Sequence, residues 1–148
     1  VQAGDFRQAE THYRAALAVK LRPESCNGLG FVLAQQGRTD EAVEQFRKAL
    51  EIDPKFFPAY NNLAEAFVKQ GKLAEAAATY RSALEQKESA TAHSGLGSVL
   101  LKMDDKEAAE EQFRAALALD PQNGEAQRNL AALRRQRKKQ AQEKETGA

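Results

Sequence analysis

The sequence predicts an all-α fold of stacked helix pairs. Three observations carry that expectation. A unit of 33 or 34 residues recurs along the 148-residue chain. Apolar residues inside each unit fall at helical rather than strand spacing. Glycine, aspartate and proline punctuate the units at fixed offsets.

The elements follow in chain order. The stretch DFRQAETHYRAALAVKL, 5–21, places Phe6, Ala9, Tyr13, Ala16 and Leu17 on one helical face. CNGLGFVLAQQG, 26–37, repeats that logic with Cys26, Leu29, Gly30 and Leu33 at i, i+3, i+4 and i+7. RTDEAVEQFRKALEIDP, 38–54, carries Ala42, Phe46, Ala49 and Leu50. The first kind of segment returns as YNNLAEAFVKQG, 60–71, and HSGLGSVLLKMD, 93–104; the second kind returns at 72–88 and 105–121. The opening stretch is of the second kind and has no partner of the first kind before it. Alanine, glutamate, glutamine, arginine and leucine dominate throughout, and all favour helix. Gly37, Gly71 and Asp104 separate the two helices of a pair, where a left-handed residue ends the first helix. Pro54 and Pro121, each after an aspartate, close second helices, and Pro58 suits the first turn of the helix that follows. Residues 124–141 read as a lone helix with a weak apolar face formed by Ala126, Leu130, Ala131 and Leu133. Residues 142–148 read as a disordered tail.

Glycines 28, 30 and 37 do not make a phosphate loop. Such a loop follows a strand and opens a helix, whereas Gly30, Ala64 and Gly97 share one site inside a helix. A small residue there lets the partner helix approach closely.

The keyed pattern is a large residue, two positions, Leu–Gly/Ala, two positions and a second large residue. Glycine follows, then Ala–x3–aromatic–x2–Ala and a late proline. This resembles the tetratricopeptide repeat. Three full copies match at 23–56, 57–89 and 90–123, after a half copy at 4–22. Cys26 and His93 stand where the family often has tryptophan, and Glu88 and Leu21 replace the terminal proline. The resemblance implies a right-handed α-solenoid and one domain over 1–141, with 124–141 capping its last apolar face.

The resemblance further implies that the first helix of each pair lines a concave, protein-binding groove. With the apolar faces turned inward, the residues at that groove are Asn27, Phe31 and Gln35; then Asn61, Asn62, Glu65, Val68 and Lys69; then Ser94, Ser98, Leu101 and Lys102; and lastly Arg128 and Asn129, beside Glu125. Asn61 and Asn62 can bond a peptide backbone of any sequence. Gly28 and Gly95 occupy the Asn62 register in the other repeats, so any asparagine ladder is broken. Phe31, Val68 and Leu101 offer apolar contacts, and Lys69 and Lys102 a charge for an acidic group. The fixed cation and amide set by which some relatives clamp a terminal carboxylate is not matched.

Little else points to chemistry. Net charge is +1, so no global field draws nucleic acid or membrane. The run RRQRKKQ, 134–140, suggests membrane contact only weakly; without aromatics it reads as a solvated helix end. His12 and His93 occupy non-equivalent positions, and with the single Cys26 they form no metal set. His93 and Cys26 take core-facing positions. Glu110 and Glu111 read as a solvated face. No nucleophile has a base placed beside it, so no enzyme, cofactor or small-molecule substrate is expected. The expected role is a protein-interaction scaffold; the alternative is a regulatory or assembly tail of a larger enzyme or membrane-associated complex. The unpaired first helix, through Phe6 and Tyr13, invites packing on a second copy or on a missing repeat. A single cysteine is compatible with the cytoplasm, and a periplasmic or membrane-tethered setting stays open if the chain is a piece of a longer protein.

Overall fold

The computed structural model describes residues 3–146. Eight helices follow one another among them: α1 (Ala3–Val19), α2 (Pro23–Gln35), α3 (Thr39–Ile52), α4 (Phe57–Lys69), α5 (Leu73–Gln86), α6 (Ala90–Lys102), α7 (Lys106–Leu119) and α8 (Gly124–Thr146). No strand occurs among the described residues. The fold is an all-α helical repeat. The helices group into two compact units, Val1–Gln86 and Lys87–Ala148.

In the first unit each helix packs on the next, from α1 through α5, and α2 also meets α4. The core is built by the repeating apolar positions: Cys26, Leu29 and Leu33 of α2; Ala42, Phe46 and Ala49 of α3; Tyr60, Leu63 and Phe67 of α4; Ala76, Tyr80 and Ala83 of α5. Glycine decides how closely helices approach. A Cβ added at Gly30 would lie 2.6 Å from the Phe46 ring, and one at Gly28 would lie 2.3 Å from the Tyr13 ring. Gly28 therefore seats α1 on α2, which leaves Phe6, Ala9, Tyr13 and Leu17 half-buried and Ala16 exposed. Glu10 ties α1 to the turn between α2 and α3. It accepts from Arg14, from Arg38 Nη1 at 3.0 Å and from Gln36 Nε2 at 3.2 Å. The Arg14 bond, with help from Arg38 and Gln36, holds its carboxyl below the usual value. Burial pushes the Cys26 thiol up.

In the second unit α6 packs on α7, α7 on α8, and α6 also meets α8. Phe113 closes on Gly97 as Phe46 does on Gly30, the ring lying 2.7 Å from where a Cβ would stand. Ala126, Leu130 and Leu133 bury the capping face of α8.

The punctuation sits where the sequence places it. Gly37, Gly71 and Asp104 have φ of +78°, +73° and +62°. Pro23 and Pro58 lie in the first turns of α2 and α4.

Two expectations need correction. The helix expected to stop at 141 continues to Thr146, so the disordered tail does not begin at 142; residues 147 and 148 lie outside the described residues. Glu110 is not on a solvated face. It is 5% exposed and accepts from Arg114 and from Arg137 Nη1, each at 2.5 Å. Arg137 comes from the basic run, so one member of that run folds back onto α7.

Candidate functional site

Each unit presents a face formed by two first-type helices. In the first unit these are α2 and α4. Between them lies a shallow notch lined by Phe31, Ala34 and Gln35 of α2, Phe46 of α3, and Asn62, Glu65, Ala66 and Lys69 of α4. Helical period brings them together: Phe31, Ala34 and Gln35 share one face of α2, and Asn62, Glu65, Ala66 and Lys69 share one face of α4. Phe31 stands 49% exposed at the lip. Glu65 and Lys69 are exposed on the other lip, while Val68 and Asn61 are half-buried beside it.

One asparagine pair is already organised. Asn62 Nδ2 donates to Asn27 Oδ1 at 2.8 Å, so each amide is oriented by the other. Asn62 keeps its carbonyl oxygen, and Asn27 its NH₂ group, for a further partner. The broken ladder thus retains one rung. Phe46 and Ala66 were not among the residues expected here. Phe46 is a core ring that reaches the notch because Gly30 has no Cβ to block it; the glycine in the small-residue register was the available signal.

In the second unit the face is formed by α6 and α8, and its chemistry differs. Glu125 sits at its centre. Ser98 Oγ donates to Glu125 Oε1 at 2.6 Å and Ser94 Oγ to Oε2 at 3.0 Å. Asn129 Nδ2 donates to Ser98 Oγ at 3.2 Å. Ser94 is only 1% exposed, so it is not itself a contact residue, contrary to expectation; it positions the carboxylate. Leu101 is half-buried, and Lys102 and Arg128 are exposed. Lys69 and Lys102 belong to different units.

His93 is held between Gln112 Oε1, 2.8 Å from Nδ1, and Glu88 Oε2, 2.6 Å from Nε2. Cys26 is buried and free. Among the described residues no three His, Cys, Asp or Glu side chains are grouped to hold a metal ion, and no helix is long and apolar enough to cross a membrane.

The chain is similar to known proteins in sequence and fold. A family model described as TPR repeat matches residues 30–71, and one described as Tetratricopeptide repeat matches 61–123 and 94–143. The human Protein O-mannosyl-transferase TMTC2 is 33% identical over 65% of the chain and 12% of its own length. The Peroxisomal targeting signal receptor of Eremothecium gossypii is 36% identical over 57% of the chain and 15% of its own length. The chain thus spans less than a sixth of either relative. A solved structure described as the first TPR of Spaghetti (RPAP3) bound to HSP90 peptide SRMEEVD superposes with a TM-score of 0.69. It covers 76% of the chain and 90% of its own, at 24% identity, a likeness of fold.

Proposed function

The chain belongs to the tetratricopeptide repeat family, and on that premise we propose that it is a non-catalytic scaffold holding a segment of another protein against its first-type helices. One observation carries the reading: the α2–α4 notch joins an apolar floor to an oriented amide pair. Phe31, Ala34 and Ala66 take an apolar side chain. Asn62 and Asn27 bond the backbone beside it, and Glu65 and Lys69 select charge at the rim. An amide pair fixed before binding loses little side-chain freedom on binding. A family relative is described as a targeting-signal receptor and a structural neighbour as peptide-bound, which supports a polypeptide ligand.

The test is a random-peptide display selection on the full chain, with affinities of the selected peptides measured by fluorescence anisotropy. Phe31→Ala and Asn62→Ala are each expected to weaken binding about tenfold, as loss of a central contact does. Unchanged affinity in both variants, with their helical content intact, removes the notch from the binding face. A second reading is favoured by the small share of its relatives that the chain spans, one of them a transferase by name: the repeats serve as the assembly or regulatory portion of a larger protein. In either case the notch does the binding.

A further inference from the structure

The two grooves are related by a constant shift of 67 residues: Cys26 corresponds to His93, Leu63 to Leu130, and the bonded Asn62 to the bonded Asn129. Under that shift Ser94 and Ser98 replace Asn27 and Phe31, and Glu125 replaces Pro58. The fold therefore does not require a serine-held carboxylate at this place, since the first unit packs without one.

The cluster is not needed to cap α8 either. Asn123 Oδ1 already accepts from the Ala126 amide at 2.9 Å. Nor do the serines need Glu125 for want of an acceptor, because a helical serine commonly bonds the carbonyl one turn back. Instead both serine protons converge on one exposed carboxylate, and Asn129 steadies Ser98. The carboxylate is held at both oxygens, and each keeps a lone pair. No Lys or Arg among the described residues pairs with it. The nearest candidate on its own helix, Arg128, lies with Nη1 3.2 Å from the Cβ position of Gly124.

We propose that the α6–α8 face is a cation subsite, in which Glu125 receives the Lys or Arg side chain of a bound polypeptide segment. This deepens the scaffold reading above and rests on it. The aliphatic stem of such a residue lies along half-buried Leu101, one turn beyond Ser98. The charged end meets a carboxylate whose geometry is fixed in advance. Exposed Lys102 and Arg128 stand on the rim and repel a second cation. The subsite accordingly selects one basic residue with uncharged neighbours rather than a basic run.

The experiment extends the same display selection to Glu125→Gln, Glu125→Lys and Ser98→Ala in the full chain, each checked for an unchanged melting curve. Peptides selected on the unmodified chain are expected to share a single Lys or Arg. Changing it to Gln raises Kd about tenfold against the unmodified chain, the worth of one well-placed charge pair, and leaves Kd unchanged against Glu125→Gln. A Lys→Glu peptide regains binding on Glu125→Lys. Ser98→Ala keeps the charge, frees the carboxylate and weakens binding by a few-fold. Selected peptides without a shared basic residue overturn the subsite, as does a Lys→Gln penalty that persists undiminished in Glu125→Gln; both leave the α2–α4 notch standing. A selection that yields no peptide at all overturns the scaffold reading and the subsite together.

Discussion

At the scale of single residues, what this chain omits from a side chain matters as much as what it includes. Gly30 and Gly97 exist so that Phe46 and Phe113 can lie against the helix backbone. An alanine there gains about 1 kcal/mol of helix propensity but drives a Cβ to 2.6–2.7 Å from a fully buried ring. Overpacking of that kind costs about 1–3 kcal/mol. Gly30→Ala and Gly97→Ala are thus expected to be net destabilising, read as lower urea midpoints. Asp104 argues the other way. Its φ of +62° is strained for a residue with a Cβ, and its contact with Lys106 is a loose, exposed 3.4 Å. Asp104→Gly should stabilise by about 1 kcal/mol; a midpoint that falls contradicts this. Both points were legible in the sequence, because each glycine or aspartate recurs at one register of the repeat. The Asn62–Asn27 bond was not, because nothing in the spacing says which of two adjacent asparagines of α4 turns toward α2.

At the scale of the element, α8 departs most from expectation. Its first half follows the repeat: Ala126, Leu130 and Leu133 bury one face as Ala59 and Leu63 do in α4. Its second half looked like a solvated basic run, yet Arg137, itself half exposed, reaches buried Glu110. A buried carboxylate needs a partner, and Arg114 supplies only one of two. Arg137→Ala should therefore lower stability by about 1 kcal/mol, the upper end for a half-exposed ion pair, since Arg114 stays on Glu110. Arg134→Ala, three residues earlier and exposed, should stay within about 0.5 kcal/mol. Equal urea midpoints for the two variants would show that the Glu110 contact adds nothing. The sequence hid this pairing because a glutamate inside a helix that is polar on one side reads as exposed until the next helix is laid across it.

At the scale of the whole molecule, the chain is a set of short-range packings repeated, and stability of such proteins is close to a sum of neighbouring interfaces. α1 is covered on the side facing α2 and keeps Phe6 and Tyr13 half-buried, with Val19 89% and Leu21 59% exposed near its end. If a second copy packs there, light scattering will give a mass that rises across a concentration series, and Phe6→Ser should abolish the rise. A constant monomer mass, with α1 ordered, rules the self-association out. The two candidate faces divide in the same way, with an apolar notch in one unit and a fixed carboxylate in the other.

Period alone determined that this protein is helical, where its helices turn and which residues form its core, because a helix hides one face and the pattern of apolar residues records which. The same period placed Asn62, Glu65 and Lys69 on one face of their helix and Phe31 with Gln35 on one face of another, and the family resemblance implied that the two faces share a groove. Tertiary packing decided the rest. It buried Ser94 and Glu110, brought Phe46 into the notch and made Glu125 the centre of a polar cluster. Those outcomes depend on which side chain of one helix falls opposite which of another, and spacing within a single helix carries no record of that.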